Sequence, residues 1–446
     1  MKLIAHAGPA VRVGERPAPA VVAGVAAIVV FAAVSVRTGA ALPVFAALAA
    51  AAAGFVALRQ PWGVAVPLAP ALLYPSVAAT FKIALVTTAL TAGWVLLQRR
   101  PLGIAKLPAL AFGGLAVFSA AANFEAGYSW RASAALGLLA LAGLAIGTAL
   151  GSWRSGAIGL AGIGAFATVI AAVQLAGFDS VWSDLTSTGQ DYVAYIAAKG
   201  DPRSTSTFGH PLIAGAGLAV IGLLLIASAR RVFGIVGIAC LVGAIATVSR
   251  SSMLAIAAGL LLYLVQERRR LGRLAPVLTA AIVAIVAAIT FVPALNEAFV
   301  NRIDSAEPQT VRLYALQQVR DTWSADPASI VVGHGVGSTY RMMAARGGVL
   351  GLTTLDNQYV TAVFDLGVAP LGIAIALVVW SIATAPPASR RAGLPALVAG
   401  LVALAFADGF YWPSLALLLG VAVGVATRRP EPAAAGEPAI VPAGAG

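Results

Sequence analysis

The stretch Phe208-Gly-His-Pro-Leu-Ile-Ala-Gly-Ala-Gly-Leu-Ala-Val-Ile-Gly-Leu-Leu-Leu-Ile-Ala-Ser228 is apolar over nearly its whole length, with Arg203-Ser-Thr-Ser-Thr207 just before it and Arg230-Arg231 just after. A bilayer with a hydrocarbon core of about 30 Å asks for such a run of a helix that crosses it. Comparable runs lie near 19–36, 40–58, 62–79, 81–98, 106–122, 131–150, 155–177, 232–248, 251–266, 274–293, 357–383, 393–408 and 412–427. The 62–79 run is interrupted by Pro67, Pro70 and Pro75, and the last two runs are short, so the reading is 12–14 spans. Transmembrane β-strands alternate in polarity and do not stay apolar for twenty residues, which excludes a barrel. Composition agrees: 60% of the 446 residues are hydrophobic and 10% charged, against about a quarter charged in soluble domains. The expected fold is all-α, a polytopic integral membrane helical bundle whose long extracytoplasmic loop carries surface helices.

Charge sets the expected orientation. The net charge of +12 would suit nucleic acid in a soluble chain, but in a membrane protein Lys and Arg collect on cytoplasmic segments. With the N-terminus inside, those segments hold Lys2, Arg12, Arg16, Arg59, Arg99, Arg100, Lys106, Arg154, Arg230, Arg231, Arg268, Arg269, Arg270, Arg273, Arg390, Arg391, Arg428 and Arg429. Outer segments apart from the longest loop hold only Arg37, Lys82, Arg131, Lys199, Arg203 and Arg250. The organisation read from this pattern begins with a cytoplasmic segment, 1–18, and a bundle, 19–293, with an outer loop near 178–207. A large outer loop, 294–356, separates these from C-terminal spans in 357–427. The Pro/Ala/Gly-rich tail, 428–446, has too little to bury and reads as disordered and cytoplasmic. Cys240, the single cysteine, lies inside an apolar run and reads as an inert core thiol.

The residues with chemical potential gather on the outer side. Asp201-Pro-Arg203-Ser-Thr-Ser-Thr-Phe-Gly-His210-Pro211 brings hydroxyls, a guanidinium and an imidazole to a span's edge. That set suits an anionic headgroup, since Arg meets phosphate with a planar fork; equally, Ser and Thr cap the helix and Arg203 anchors it. Arg250 stands in the turn Ser249-Arg-Ser-Ser252, either holding an anion or reaching lipid phosphates. In the large loop, Leu316, Val319 and Trp323 repeat at helical spacing, predicting an amphipathic helix that stops near Asp326-Pro327. Arg312 and Arg320 flank Leu316 by one turn each, an arrangement that suits a bound anion or lipid headgroups. Gly333-His-Gly-Val-Gly337-Ser338 is either a flexible turn or a nest whose N–H groups converge on an anion. Asp356-Asn357 opens the next span, as a cap or with its carboxylate as a general base.

In these blocks the chain resembles the O-antigen ligase / Wzy-type polymerase superfamily of bacterial envelope glycosyltransferases. The matching elements, in order, are Arg203-x-Thr-x-Thr-Phe-Gly-His-Pro211, Ser249-Arg250, and Arg312-x-x-x-Leu316 leading to Pro327 and Gly333-x-Gly-x-Gly337. The last is Asn357-x-Tyr359 with Asp365-x-Gly367. They span about residues 200 to 385. The resemblance implies a metal-independent, cofactor-free, GT-C-like glycosyltransferase in the cytoplasmic membrane. Its donor would be a polyprenyl-diphosphate-linked glycan, with a second lipid-linked glycan or another acceptor. It further implies Arg203, Arg312 and Asp356 in catalytic roles, with Arg250, Arg320, His210, His334, Asn357 and Tyr359 binding substrate. The ligase pattern has His-Asn where this chain has Asp356-Asn357, and Pro370 stands at a position usually small or polar. Those departures favour the polymerase branch over the ligase branch. A transporter would instead carry ionisable residues near the bilayer midplane; here Asp365 and Asp408 are the nearest to that description.

Overall fold

A computed structural model describes residues 106–122, 129–149, 153–175, 204–228, 231–247, 249–272, 307–345, 357–406 and 412–428, with isolated positions 276, 279 and 355. The runs read between 19 and 98, the 274–293 run, Arg203, Asp356, Asp408 and the tail beyond Arg428 lie outside these residues. Thirteen helices and no strand occur among the described residues. They are α1 (Lys106–Ala122), α2 (Ser129–Ala149), α3 (Trp153–Leu175), α4 (Pro211–Ile226), α5 (Arg231–Ala246), α6 (Arg250–Leu271), α7 (Glu307–Ala325), α8 (Ala328–Val332), α9 (Ser338–Ala345), α10 (Gln358–Leu366), α11 (Val368–Thr384), α12 (Pro387–Leu404) and α13 (Pro413–Thr427).

The bundle is organised around α4. Nearly every residue of α4 from Pro211 to Leu225 is buried, because α3, α5, α6, α12 and α13 all pack on it. A helix apolar all round can only be satisfied by such enclosure. Close approach elsewhere depends on small residues. Gly143 and Gly147 of α2 face Gly420 and Gly424 of α13, so two small-xxx-small ridges meet backbone to backbone. A Cβ on any of the four would strike the opposing main chain.

The helices alternate in direction and give the bundle two unlike ends. At one end, Gln174 of α3 meets the turn before α4, His210 lies beside Trp412 at the start of α13, and Ser119 of α1 holds the α8–α9 loop. At the other end Ser389 donates to the Arg428 carbonyl (2.7 Å). Lys106, Arg154, Arg231, Arg268, Arg269, Arg270, Arg390, Arg391 and Arg428 all stand at this second end. The segment α7–α10 caps the first end, packing through Ala315, Val319, Met343, Leu355 and Phe364.

Several expected boundaries differ from the observed ones. The 357–383 run is not one rod: it breaks at Gly367 into α10 and α11, bent by 117°. The 208–228 run yields a helix only from Pro211, since Thr205–Gly209 form turns. Among the described residues, α3 alone holds an apolar window long enough to cross a membrane, with the bent pair α10–α11 a second if taken together. The helices α1, α4, α5 and α13 contain shorter apolar stretches. The amphipathic helix stops at Ala325, before Asp326-Pro327, as the sequence indicates. Its buried stripe, however, runs through Ala315 and Val319 (each 1% exposed), while Leu316 is 40% exposed. Arg320 is exposed as well, so it does not lie on a buried apolar face.

Candidate functional site

Beneath the capping segment, one carboxylate fixes the glycine loop. Asp365, 2% exposed, accepts from the Gly337 N–H at Oδ2 (2.9 Å). Its Oδ1 accepts from the Thr339 N–H (3.0 Å) and the Thr339 hydroxyl (2.7 Å). The Ser338 hydroxyl lies 2.8 Å from Oδ1 and 2.6 Å from the Gly335 carbonyl oxygen. Of the two readings of the alternating glycines, a flexible turn or N–H groups converging on an anion, the structure shows the second, and the anion is the chain's own Asp365. The carboxylate sits at the first turn of α9 and satisfies N–H groups that have no partner within that helix.

Main chain completes the clasp. The His334 N–H donates to the Phe364 carbonyl (3.0 Å) and the Gly335 N–H to that of Asp365 (2.6 Å). Gly333 (φ +75°) and Gly367 (φ +79°) lie face to face, and a Cβ on either would strike the other strand of the clasp. The Val336 N–H reaches the Ser119 hydroxyl of α1 (2.8 Å). The loop is thus fixed to α10 and to the bundle at once.

Above the clasp opens a cleft of about 410 Å³, lined by Thr322, His334, Ser338, Arg341, Met342 and Phe364. The His334 ring lies against Phe364 (centroids 4.6 Å apart), which in turn meets Trp323 (6.2 Å). Nε2 of His334 is buried and has no hydrogen-bond partner among the described residues. Burial lowers the imidazole's pKa below the usual 6.5, and the charge of Asp326 offsets this in part. Near neutral pH the ring is therefore uncharged and can give or accept a hydrogen bond. Arg341, exposed at the rim, supplies a positive charge beside it.

The remaining sequence-expected residues fall into distinct settings. His210 caps α4: its Nδ1 accepts from the Leu212 N–H (3.2 Å), and the ring lies 5.6 Å from that of Trp412. Ser204 to Thr207 are buried, and the cap of α4 is His210. Ser204 donates to Gln174 Oε1 (2.7 Å), which also accepts from the Ser206 N–H (2.8 Å), while the Ser206 hydroxyl donates to the Ala167 carbonyl (2.6 Å). Asn357 caps α10, its Oδ1 accepting from the N–H groups of Tyr359 (3.1 Å) and Val360 (3.3 Å). The Tyr359 hydroxyl donates to the Leu401 carbonyl (2.7 Å). Arg250 begins α6, half-buried, behind the Ser249 cap. Arg312 lies in α7, three residues before Ala315.

Of the expected residues, the structure brings His334 to a cleft whose other walls sequence reasoning passed over. Thr322, Ser338, Arg341, Met342 and Phe364 were not singled out for that role. One signal was present: Ser338, Arg341 and Met342 are spaced i, i+3, i+4 and so share a helix face directly after the glycine loop. Gln174 and Trp412 gave no such signal, because their partners lie far away in sequence.

Residues 235–375 match a family model described as O-antigen ligase. The match includes Ser249-Arg250, the whole capping segment and Asp365-x-Gly367, and begins after the Arg203–Pro211 block. No curated protein matches the chain.

Proposed function

We propose, on the premise that residues 235–375 belong to the O-antigen ligase family of glycosyltransferase-like membrane enzymes, that this chain polymerises polyprenyl-diphosphate-linked oligosaccharide repeat units. In this reading a hydroxyl of an acceptor glycan attacks the donor sugar's anomeric carbon. The bond to the diphosphate breaks, and the diphosphate leaves with the electron pair. Arg203, Arg250 and Arg312, with Arg320 in support, neutralise the charge that develops on it. Asp356, at the position where the ligase pattern has histidine, takes the acceptor's proton.

The observation that carries the proposal is the fixed cleft over one end of an apolar bundle, inside the matched segment. Two further features support a multi-pass membrane setting with this end on the outer face. Basic residues crowd the opposite end, in the sense of the positive-inside rule. On α5, Val232, Ile235, Ile238, Val242 and Ile245 are exposed at helical spacing, a stripe that hydrocarbon would cover. Transfer of finished glycan to another acceptor, the ligase reaction, uses the same donor and the same side of the membrane, and is the alternative reading.

The test is the length distribution of the envelope glycan, with its prenyl-diphosphate pool, in a strain lacking the protein. Single repeat units in place of a ladder are the expected result. Full-length glycan stranded on the carrier would replace the polymerase with a ligase. An unchanged ladder and an unchanged pool would overturn both.

A further inference from the structure

At the end of the bundle opposite the capping segment, three helix ends bring arginines together. Helices α6 and α12 run antiparallel, and their register is fixed where Gly259 packs on Pro395 and Ala399. That register sets Arg268 and Arg269 of α6 within about one turn, along the axis, of Arg390 and Arg391 of α12. The Ser389 hydroxyl, donating to the Arg428 carbonyl (2.7 Å), ties the end of α13 to the same place. Arg268, Arg269 and Arg391 are exposed, while Arg390 and Arg428 are half-buried. Among the described residues this end holds one acid, Glu267, and it is buried. The charge that faces outward here is therefore positive.

Apolar surface continues directly from these charges. Leu261 (37% exposed) and Val265 (51%) precede Arg268 and Arg269 at i, i+4, i+7 and i+8, so all four share the outward face of α6. The neighbouring helix α5 repeats the order: Arg231 opens it, and Val232, Ile235 and Ile238 follow exposed. A face that is apolar along its length and cationic at its end matches an amphiphile with an anionic head. Free phosphate would engage the guanidiniums alone and leave the apolar face uncovered. The guanidinium fork meets a phosphodiester through two hydrogen bonds, a geometry that an ammonium lacks.

We infer that this end is a docking site for an anionic phospholipid of the surrounding leaflet. Arg268 and Arg269 hold its phosphate, with Arg391 beside them, and its acyl chains lie along Val265 and Leu261. Orientation in a membrane asks only for a surplus of Lys and Arg near the ends of spans. A site asks more, that particular arginines prefer one class of headgroup. The inference is independent of the glycosyltransferase reading and needs only that a bilayer surround the bundle.

The experiment uses the full chain purified in neutral detergent, with dioleoyl-phosphatidylglycerol as the anionic probe and dioleoyl-phosphatidylcholine as its zwitterionic counterpart. Bound lipid is counted by native mass spectrometry over a titration, and thermal unfolding is followed in the same samples. Phosphatidylglycerol is expected to bind at least tenfold more tightly than phosphatidylcholine and to raise the unfolding temperature. Arg268→Gln is expected to weaken its binding at least threefold, and Arg268→Gln with Arg269→Gln at least tenfold, with phosphatidylcholine unaffected. Both positions are exposed, and Gln is close to Arg in helix propensity, so these variants keep the fold. Lys106→Gln removes one charge from the same end but on α1, which packs on α2 and α11; it is expected to bind as the wild type does. Equal binding of the two lipids by the wild type overturns the site, as does undiminished preference in the double variant. An equal loss in Arg268→Gln and Lys106→Gln would reduce the effect to net charge and overturn it too. Stabilisation by inorganic phosphate matching that by phosphatidylglycerol at equal concentration would make the ligand a free anion and overturn the lipid.

Discussion

His334 holds its proton differently from an exposed histidine, in a way that pH can reveal. Burial holds His334 below the ordinary histidine pKa of 6.5, with Asp326 opposing and the Arg341 charge in the same cleft. A base whose pKa is lowered stays neutral at pH 7 and gains its proton only as the pH falls through that lowered value. Protonation would place a charge on a buried nitrogen, which the folded chain resists and the unfolded chain does not. Stability is therefore expected to be lost as the pH falls from the ordinary histidine value of 6.5 through the lowered one. Thermal unfolding of the purified protein at a series of pH values checks this, and His334→Gln should flatten the slope over that interval; an unchanged slope would show that His334 does not set it. The histidines themselves were legible as polar residues beside apolar runs. Their roles were not, because His210 is defined by its bond to Leu212 and its contact with Trp412, two hundred residues away.

Between elements, the clasp joining the α8–α9 loop to the α10–α11 break decides whether the cleft exists. Gly367 has φ +79° and ψ 158°, a region essentially restricted to glycine and costing other residues about 1–3 kcal/mol. An added methyl would also strike the Val331–Gly333 backbone. Asp365→Ala would leave two N–H groups and the Thr339 hydroxyl buried without their acceptor, at about 1–3 kcal/mol for each such group. Both Gly367→Ala and Asp365→Ala should therefore lower the thermal stability of the purified protein by several degrees and abolish transfer. Thermal unfolding with a parallel transfer assay measures both; full activity in either variant would show that the clasp is dispensable. This junction shows where sequence reading stops. The extents of α1 and α13 follow from apolar runs bounded by Lys106, Pro413 and Arg428, because local composition determines them. The run 357–383 is equally apolar, yet it bends by 117°, because Asp365 is committed to a loop 28 residues earlier. No local pattern records that commitment. The α7 stripe was misread for a related reason: Leu316 is the larger residue, but the tight packing under α7 admits Ala315 instead.

At the scale of the whole molecule, the two ends differ in charge and in architecture, and the proposal assigns them to opposite sides of a bilayer. Apolar length alone does not establish this, since among the described residues only α3 reaches spanning length unaided. The stronger argument is the coincidence of three independent features. The capping segment and its cleft lie at one end, nine basic residues stand at the other against five at the capping end among the described residues, and α5 presents an apolar stripe between them. A soluble bundle would have no reason to segregate charge along its helix axes or to leave that stripe to water. Cys240 is fully buried, so single cysteines placed elsewhere in a Cys240→Ser background report position cleanly. Leu316→Cys, on the exposed face of α7, should react with a membrane-impermeant maleimide in intact spheroplasts. Arg391→Cys, near the start of α12, should react only after the membrane is permeabilised. Equal labelling of both in intact spheroplasts would mean that no bilayer separates the ends, and the reverse pattern would place the cleft in the cytoplasm, away from any donor presented on the outer face.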